Sequence, residues 1–124
     1  MDFARSVSAA LDPVLVPEGF AAGQCGGSQA IYCAGHDELS DRFPALPQSN
    51  AQVRGLGGCI DLVVAYDDYG LQVRLEGMAL TDTLHALQLD DDAAAVERLA
   101  SAPLDAALRA LADILPRLFR AAVP

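Results

Sequence analysis

Two acidic residues, Asp61 and Glu76, are the first candidates for chemistry in this sequence. They flank two runs of alternating apolar residues, and the hairpin that these runs predict places Asp61 directly across from Glu76. Like charges at such a position destabilise a sheet unless a cation or a raised carboxyl pKa relieves them, and Arg74 lies on the diagonal. A carboxylate pair of this kind could serve general acid–base catalysis or bind a hard metal ion, with His36 as a further candidate. The simpler alternative is a solvent-exposed sheet face on which Arg74 and water neutralise the acids.

Three cysteines and one histidine form the second candidate set. Cys25, Cys33, His36 and Cys59 are the side-chain types of a tetrahedral zinc site, but no two of the cysteines have the CxxC spacing of a zinc knuckle. Cys33 and Cys59 lie in apolar, strand-like segments, where a thiol behaves as a small hydrophobic group. Nucleophilic catalysis by Cys25 with His36 as the base is a further alternative. We therefore predict core thiols, no bound metal and no cofactor.

The charge of the chain disfavours two classes of partner. Seventeen acidic residues face eight basic ones, all of them arginine, and the net charge is −9. This charge repels phosphate, so we expect no nucleic-acid binding and no binding to anionic membranes. No apolar run approaches the roughly 20 residues of a membrane helix. The first residues lack the pattern of a signal peptide, which predicts a cytoplasmic protein with reduced thiols.

The clearest predicted element is the hairpin that positions Asp61 and Glu76. Residues 60–66 and 71–76 alternate between apolar and other side chains around a turn at 67–70. If the turn closes at Asp68 and Tyr69, every apolar residue of one strand meets an apolar residue of the other, and a slip by one residue would destroy the match. The predicted cross-strand pairs are Tyr66 with Leu71, Val64 with Val73, and Leu62 with Leu75.

The remaining elements complete a single α+β domain over residues 1–124. We predict a small antiparallel sheet of about four strands in two hairpins, packed against an N-terminal helix and C-terminal helices. The other predicted elements are a helix over 3–16 that Pro13 kinks or breaks, a hairpin over 20–34 with its turn at Gly26–Gly27, and helices near 81–87, 93–100 and 103–121. The last helix carries a leucine stripe that is expected to pack in the chain's own core, or alternatively to form a homodimer seam. Its members are Leu104, Leu108, Leu111, Leu115 and Leu118.

These features favour a non-catalytic, acidic protein-binding module over an enzyme. We expect the irregular segment 44–58 and the acids before it to contact a protein partner, as an immunity protein or another inhibitor of a basic protein would. Those acids, with a neighbouring histidine, are His36, Asp37, Glu38 and Asp41. A protein partner or self-association, including a homodimer, is favoured over a small molecule. The alternative is a small enzyme, or a ligand- or metal-binding protein, that uses the Asp61/Glu76 pair.

Overall fold

The computed structural model describes residues 3–43 and 59–123 of the 124-residue chain, and only the backbone of residues 22–26, 36, 37, 40 and 59. Within these ranges the chain forms the following helices: α1 (Phe3–Leu15), α2 (His36–Arg42), α3 (Leu80–Ala86), α4 (Asp90–Arg98) and α5 (Leu104–Ala122). The strands are β1 (Ala21–Gly26), β2 (Gln29–Gly35), β3 (Cys59–Asp67), β4 (Gly70–Leu75) and β5 (Met78–Ala79). The predicted α+β class is confirmed, and the segment 44–58 lies outside the described residues.

The strands form one antiparallel sheet in the order β1-β2-β3-β4-β5. The prediction of about four strands in two hairpins is confirmed, and the two-residue β5 adds a short fifth strand. The predicted register of β3 and β4 is also confirmed, because Leu62 pairs with Leu75, Val64 with Val73 and Tyr66 with Leu71. Successive side chains of a strand point to opposite faces, so this register places the whole apolar set on one face of the sheet.

The buried face of the sheet packs against the helices. Leu62 and Val64 at the centre of β3 are both 0% exposed, and the leucine stripe of α5 is buried against the same core. The prediction that this stripe serves the chain's own core is confirmed for Leu108, Leu111, Leu115 and Leu118, whereas Leu104 is only partly buried. Among the described helices, none combines the length and the apolar character needed to cross a lipid bilayer.

Three local predictions need correction. The helix α1 continues through Pro13 to Leu15 instead of breaking near Asp12. The proline removes one backbone donor, but the carbonyl that would have accepted it belongs to the exposed Ala9 and can bond to water. The first hairpin turns one residue later than predicted, because Gly26 pairs with Gln29. The helix α4 begins at Asp90, so its three aspartates form the first turn, where they favour the helix dipole.

An ion pair joins α4 to α5. Arg117 of α5 donates to both carboxylate oxygens of Asp92 in α4, with Nε at 3.1 Å from Oδ2 and a terminal nitrogen at 2.8 Å from Oδ1. The hydrogen bonds from Arg117 to Asp92 raise the pKa of the guanidinium above its usual value. Because Arg117 is half exposed, water screens the pair, which therefore orients the two helices more than it stabilises them.

A half-buried carboxylate connects α1 to the sheet. Asp12 accepts a hydrogen bond from the hydroxyl of Tyr32 in β2 at 2.5 Å and another from Ser8 Oγ at 2.5 Å. Tyr32 is 3% exposed. Water therefore has little access to the hydrogen bond between its hydroxyl and Asp12. This hydrogen bond forms only when α1 packs against β2, so no local sequence pattern predicts it.

Removing the Tyr32 hydroxyl should therefore destabilise the fold. We expect Tyr32→Phe to lower the free energy of unfolding by about 1–2 kcal/mol, because it leaves a carboxylate oxygen without its buried donor. Urea denaturation followed by far-ultraviolet circular dichroism measures this change. The matched control is Tyr69→Phe, which removes the same atom from a side chain that is 79% exposed and should change stability little. Equal losses in the two variants would contradict the role assigned to the Asp12 bond.

Candidate functional site

The structure places the backbones of Asp61 and Glu76 next to each other, and Glu76 lies just after β4 with a φ of +52°. The backbone N–H of Glu76 donates to the carbonyl of Asp61 at 2.8 Å, so the two residues are neighbours across β3 and the end of β4. Asp61 is exposed and Glu76 is partly buried. Arg74 lies diagonally from Asp61, opposite Val63. The carboxylate pair therefore stays a prediction, and none of the three grooves described below includes Asp61 or Glu76.

The cysteine and histidine set is only partly described. Cys33 lies in β2 opposite Asp61, is half-buried and forms no disulfide. The side chains of Cys25, His36 and Cys59 lie outside the described atoms, so neither zinc binding nor catalysis by Cys25 is tested. Among the described side chains, no group of three His, Cys, Asp or Glu residues is close enough to hold a metal ion.

The turn between β3 and β4, which we call the hairpin tip (residues 67–70), presents an exposed aromatic side chain. Tyr69 is 79% exposed, more than any other large apolar residue in the described part of the chain. Its backbone N–H donates to Asp67 Oδ1 at 2.8 Å, which fixes the turn. Asp67 and Asp68 are exposed beside it. The hairpin tip thus combines an aromatic ring, two carboxylates and a constrained backbone.

Gly70 holds the hairpin tip against the rest of the fold. It is buried, has a φ of +92°, and lies so close to the backbone of Ala100 that a Cβ atom at this position would overlap it. Ala100 belongs to the 3₁₀ turn Leu99–Ser101 that follows α4. The tip is therefore braced at its base by a backbone contact and is not a free loop.

A groove with a cavity volume of about 440 Å³ lies where α2 and the C-terminal end of α5 meet the turn after α1. We call it the arginine groove and define it by Glu18, Arg42, Phe43, Pro116, Phe119, Arg120 and Val123. Its floor is formed by the buried rings of Phe43 and Phe119, whose planes are tilted by 37° and whose centroids are 5.0 Å apart. Val123, 47% exposed, adds an apolar rim.

The two arginines of the groove are held in different ways. Arg42 lies over the Phe43 ring, with its guanidinium carbon 5.2 Å from the ring centroid, and donates to Glu18 at 3.3 Å. Arg120 donates from Nε to the carbonyl of Pro116 at 3.3 Å, and forms no ion pair with any described carboxylate. Its terminal nitrogens therefore remain available to a ligand. Two guanidinium groups and one carboxylate leave the described lining with one net positive charge.

Two further grooves lie in the described part of the chain. One, of about 420 Å³, lies between α1 and α5 and is lined mainly by small residues between Arg5 and Arg109. The other, of about 260 Å³, runs between β4 and α4 and includes Arg74. Neither groove includes Asp61 or Glu76.

Neither the hairpin tip nor the arginine groove was predicted from the sequence as a binding surface. An aromatic residue at a turn position, where Gly, Asn and Asp are usual, is a signal that could have singled out Tyr69. No local sequence pattern marks Arg42 and Arg120 as binding residues, because they come from separate helices that are distant in the sequence. Comparison with protein-family models, with curated proteins and with solved structures finds no match to this chain.

Proposed function

We propose that this chain is a non-catalytic, acidic protein-binding module and that the hairpin tip forms part of its contact surface. The net charge of −9 favours a basic partner, and an inhibitor-like or immunity-like role against such a partner is the form of this function that the charge fits. The predicted contribution of residues 44–58 and the cytoplasmic location remain parts of this proposal.

The single observation that carries the proposal is the exposure of Tyr69 on a rigid turn. Tyrosine is enriched among the residues that dominate binding energy, because its large ring loses little conformational freedom on contact. The Asp67 hydrogen bond and the contact of Gly70 with Ala100 hold the turn before any partner arrives. A preorganised turn loses less entropy on binding than a flexible loop would.

The exposed carboxylates beside Tyr69 support a basic partner in particular. Asp67 and Asp68 add negative charge around an apolar ring, so a cationic surface would be attracted on approach and could then bury the ring. Asp67 also accepts the hydrogen bond that fixes the turn, whereas no described contact involves the side chain of Asp68. Asp68 is therefore the residue at which charge can be removed without disturbing the fold.

A site-specific cross-linking experiment tests the proposal. A photoreactive phenylalanine analogue at position 69 should cross-link one stoichiometric basic protein from a native lysate. The same analogue at Val16, which is 51% exposed in the 3₁₀ turn after α1, should not. With the captured partner purified, Tyr69→Ala should weaken binding about 30-fold, as expected for a truncation of about 2 kcal/mol. Asp68→Asn should slow association and reduce its salt dependence.

Three outcomes would contradict the proposal. The first is the absence of any stoichiometric partner at low and moderate salt. The second is capture of the same proteins from positions 69 and 16, which would indicate non-specific contact. The third is a cross-link from position 69 to a second copy of the chain, which would identify a homodimer surface instead.

A further inference from the structure

We infer that the arginine groove is a binding site for a small monocarboxylate that carries an aromatic or branched alkyl body. This site is separate from the hairpin tip, shares no residue with it and does not depend on the proposed function. The inference joins three features of the described residues: a concave apolar floor, a guanidinium group with unused donors, and a second guanidinium group already held in place.

The volume and lining of the groove determine the size and type of the apolar group that the ligand carries. A volume of about 440 Å³ falls within the usual size of small-molecule sites. The floor is aromatic, since Phe43 and Phe119 are buried, and the rim is aliphatic, since Pro116 and Val123 are more exposed. These groups offer contact to a ring or a branched chain and offer no hydrogen-bond partner for a sugar or a nucleobase.

The arginines determine which polar group the ligand carries. Arg120 uses Nε to reach the carbonyl of Pro116, which anchors the side chain and leaves the terminal nitrogens for a carboxylate. Arg42 donates to Glu18 through one terminal nitrogen and keeps further N–H groups, because guanidinium has five. The site therefore has donors enough for one carboxylate.

Charge argues for one carboxylate and against a multiply charged ligand. The described lining carries one net positive charge, from Arg42, Arg120 and Glu18, within a protein of net charge −9. A monoanion balances the charge of the described lining, whereas a phosphate ester or a dicarboxylate would bring a second charge near Glu18 and into the negative field of the molecule. An apolar amine would be repelled by the arginines.

The test is a titration of the whole chain, observed by nitrogen–proton correlation spectra that include the arginine side chains. Phenylbutyrate is the probe, with phenylbutanol as the uncharged control and butyrate as the control without the ring. Phenylbutyrate at up to about 10 mM should shift the Arg120 Nε–H resonance and the Phe119 backbone resonance with saturation, because a shallow site reaches a dissociation constant of about 1 mM. Both controls should bind about tenfold more weakly or worse.

A pair of variants on α5 assigns the effect to the groove. Arg120→Gln should weaken phenylbutyrate binding about tenfold or more, because it removes the charged donor. The matched control Arg109→Gln removes the same charge from the same helix outside the groove, and should leave the affinity within about twofold. Thermal unfolding of both variants confirms that each is folded before titration.

The result that overturns the inference is specific. Absence of saturable shifts at Arg120 up to about 10 mM phenylbutyrate shows that the groove does not bind this class of ligand. Equal binding of phenylbutanol, or equal weakening by the two arginine variants, shows that the arginines of the groove do not select a carboxylate. Either outcome leaves the protein-binding proposal untouched, because Tyr69 and Asp68 lie outside the groove.

Discussion

Replacing Gly70 with alanine should lower the free energy of unfolding by roughly 3 kcal/mol or more. Two effects add at this position. A φ of +92° is a backbone conformation that residues with a Cβ atom rarely adopt, and the Cβ itself would overlap the backbone of Ala100. A backbone neighbour cannot rotate away as a flexible side chain can. The base of the hairpin or the turn after α4 must therefore move.

The matched control for Gly70 is Gly77, in the turn between β4 and β5. Its φ of +79° is also unfavourable for alanine, but no atom outside its immediate neighbours lies within 4 Å of the position that a Cβ would take. Gly77→Ala should therefore lose only about 1 kcal/mol. Urea denaturation of both variants measures the difference, provided that the slope of free energy against urea stays constant. Equal losses would show that the Ala100 contact does not constrain the hairpin.

The same substitution has a consequence for the proposed contact surface. Gly70 follows Tyr69 at the base of the turn, so a shift of the turn would move the Tyr69 ring. A Gly70→Ala chain that remains folded should bind a partner captured at position 69 more weakly than the Gly77→Ala chain does. This comparison distinguishes weaker binding caused by a displaced hairpin tip from weaker binding caused by a general loss of stability.

Truncating Leu62 to alanine should have the second large effect, a loss of about 2–5 kcal/mol. Leu62 is 0% exposed at the centre of the sheet, paired with Tyr32 on β2 and with Leu75 on β4. Removing its side chain leaves a cavity between the sheet and the helices that surrounding atoms can fill only in part. Chemical denaturation gives the loss directly.

Val63, the next residue along β3, provides the control. It lies on the opposite face of the sheet, is only partly buried, and pairs with Ile31 and Arg74. Val63→Ala should lose about 1 kcal/mol, because fewer contacts disappear and water can reach the site. A larger loss at Val63 than at Leu62 would mean that the register of β3 is shifted by one residue, since such a shift exchanges the two faces.

The parts of the fold that follow from local pattern could be predicted. The alternation of apolar residues in 60–66 and 71–76 predicted β3, β4 and the pairing of Tyr66 with Leu71. The register of such a hairpin is fixed by its turn and by the burial of one face. The spacing of the leucines gave the buried stripe of α5 in the same way. Helix boundaries were less accurate. Pro13 was expected to kink or break α1, and the helix does not break there, because an exposed carbonyl tolerates the missing donor.

The surfaces that support function could not be predicted, because each depends on elements that are distant in the sequence. Arg42 and Arg120 share a groove only because Phe43, directly after α2, lies against Phe119 of α5. The backbones of Asp61 and Glu76 are neighbours where the register placed them, but Glu76 lies after β4 with a φ of +52°, and the pairing of the two carboxylates stays a prediction. Whether a cavity encloses such a pair depends on the elements that pack around it, and the described grooves lie elsewhere.

The sequence by itself determined the acidic charge, the α+β class and the pairing of β3 with β4, because charge is a sum over residues and periodicity is local. The tertiary structure alone decided that Gly70 meets Ala100, that Tyr32 reaches Asp12, and that two arginines flank an aromatic floor. The physical reason is that such contacts depend on how helices and strands pack in space. No spacing of residues along the chain encodes these distances directly.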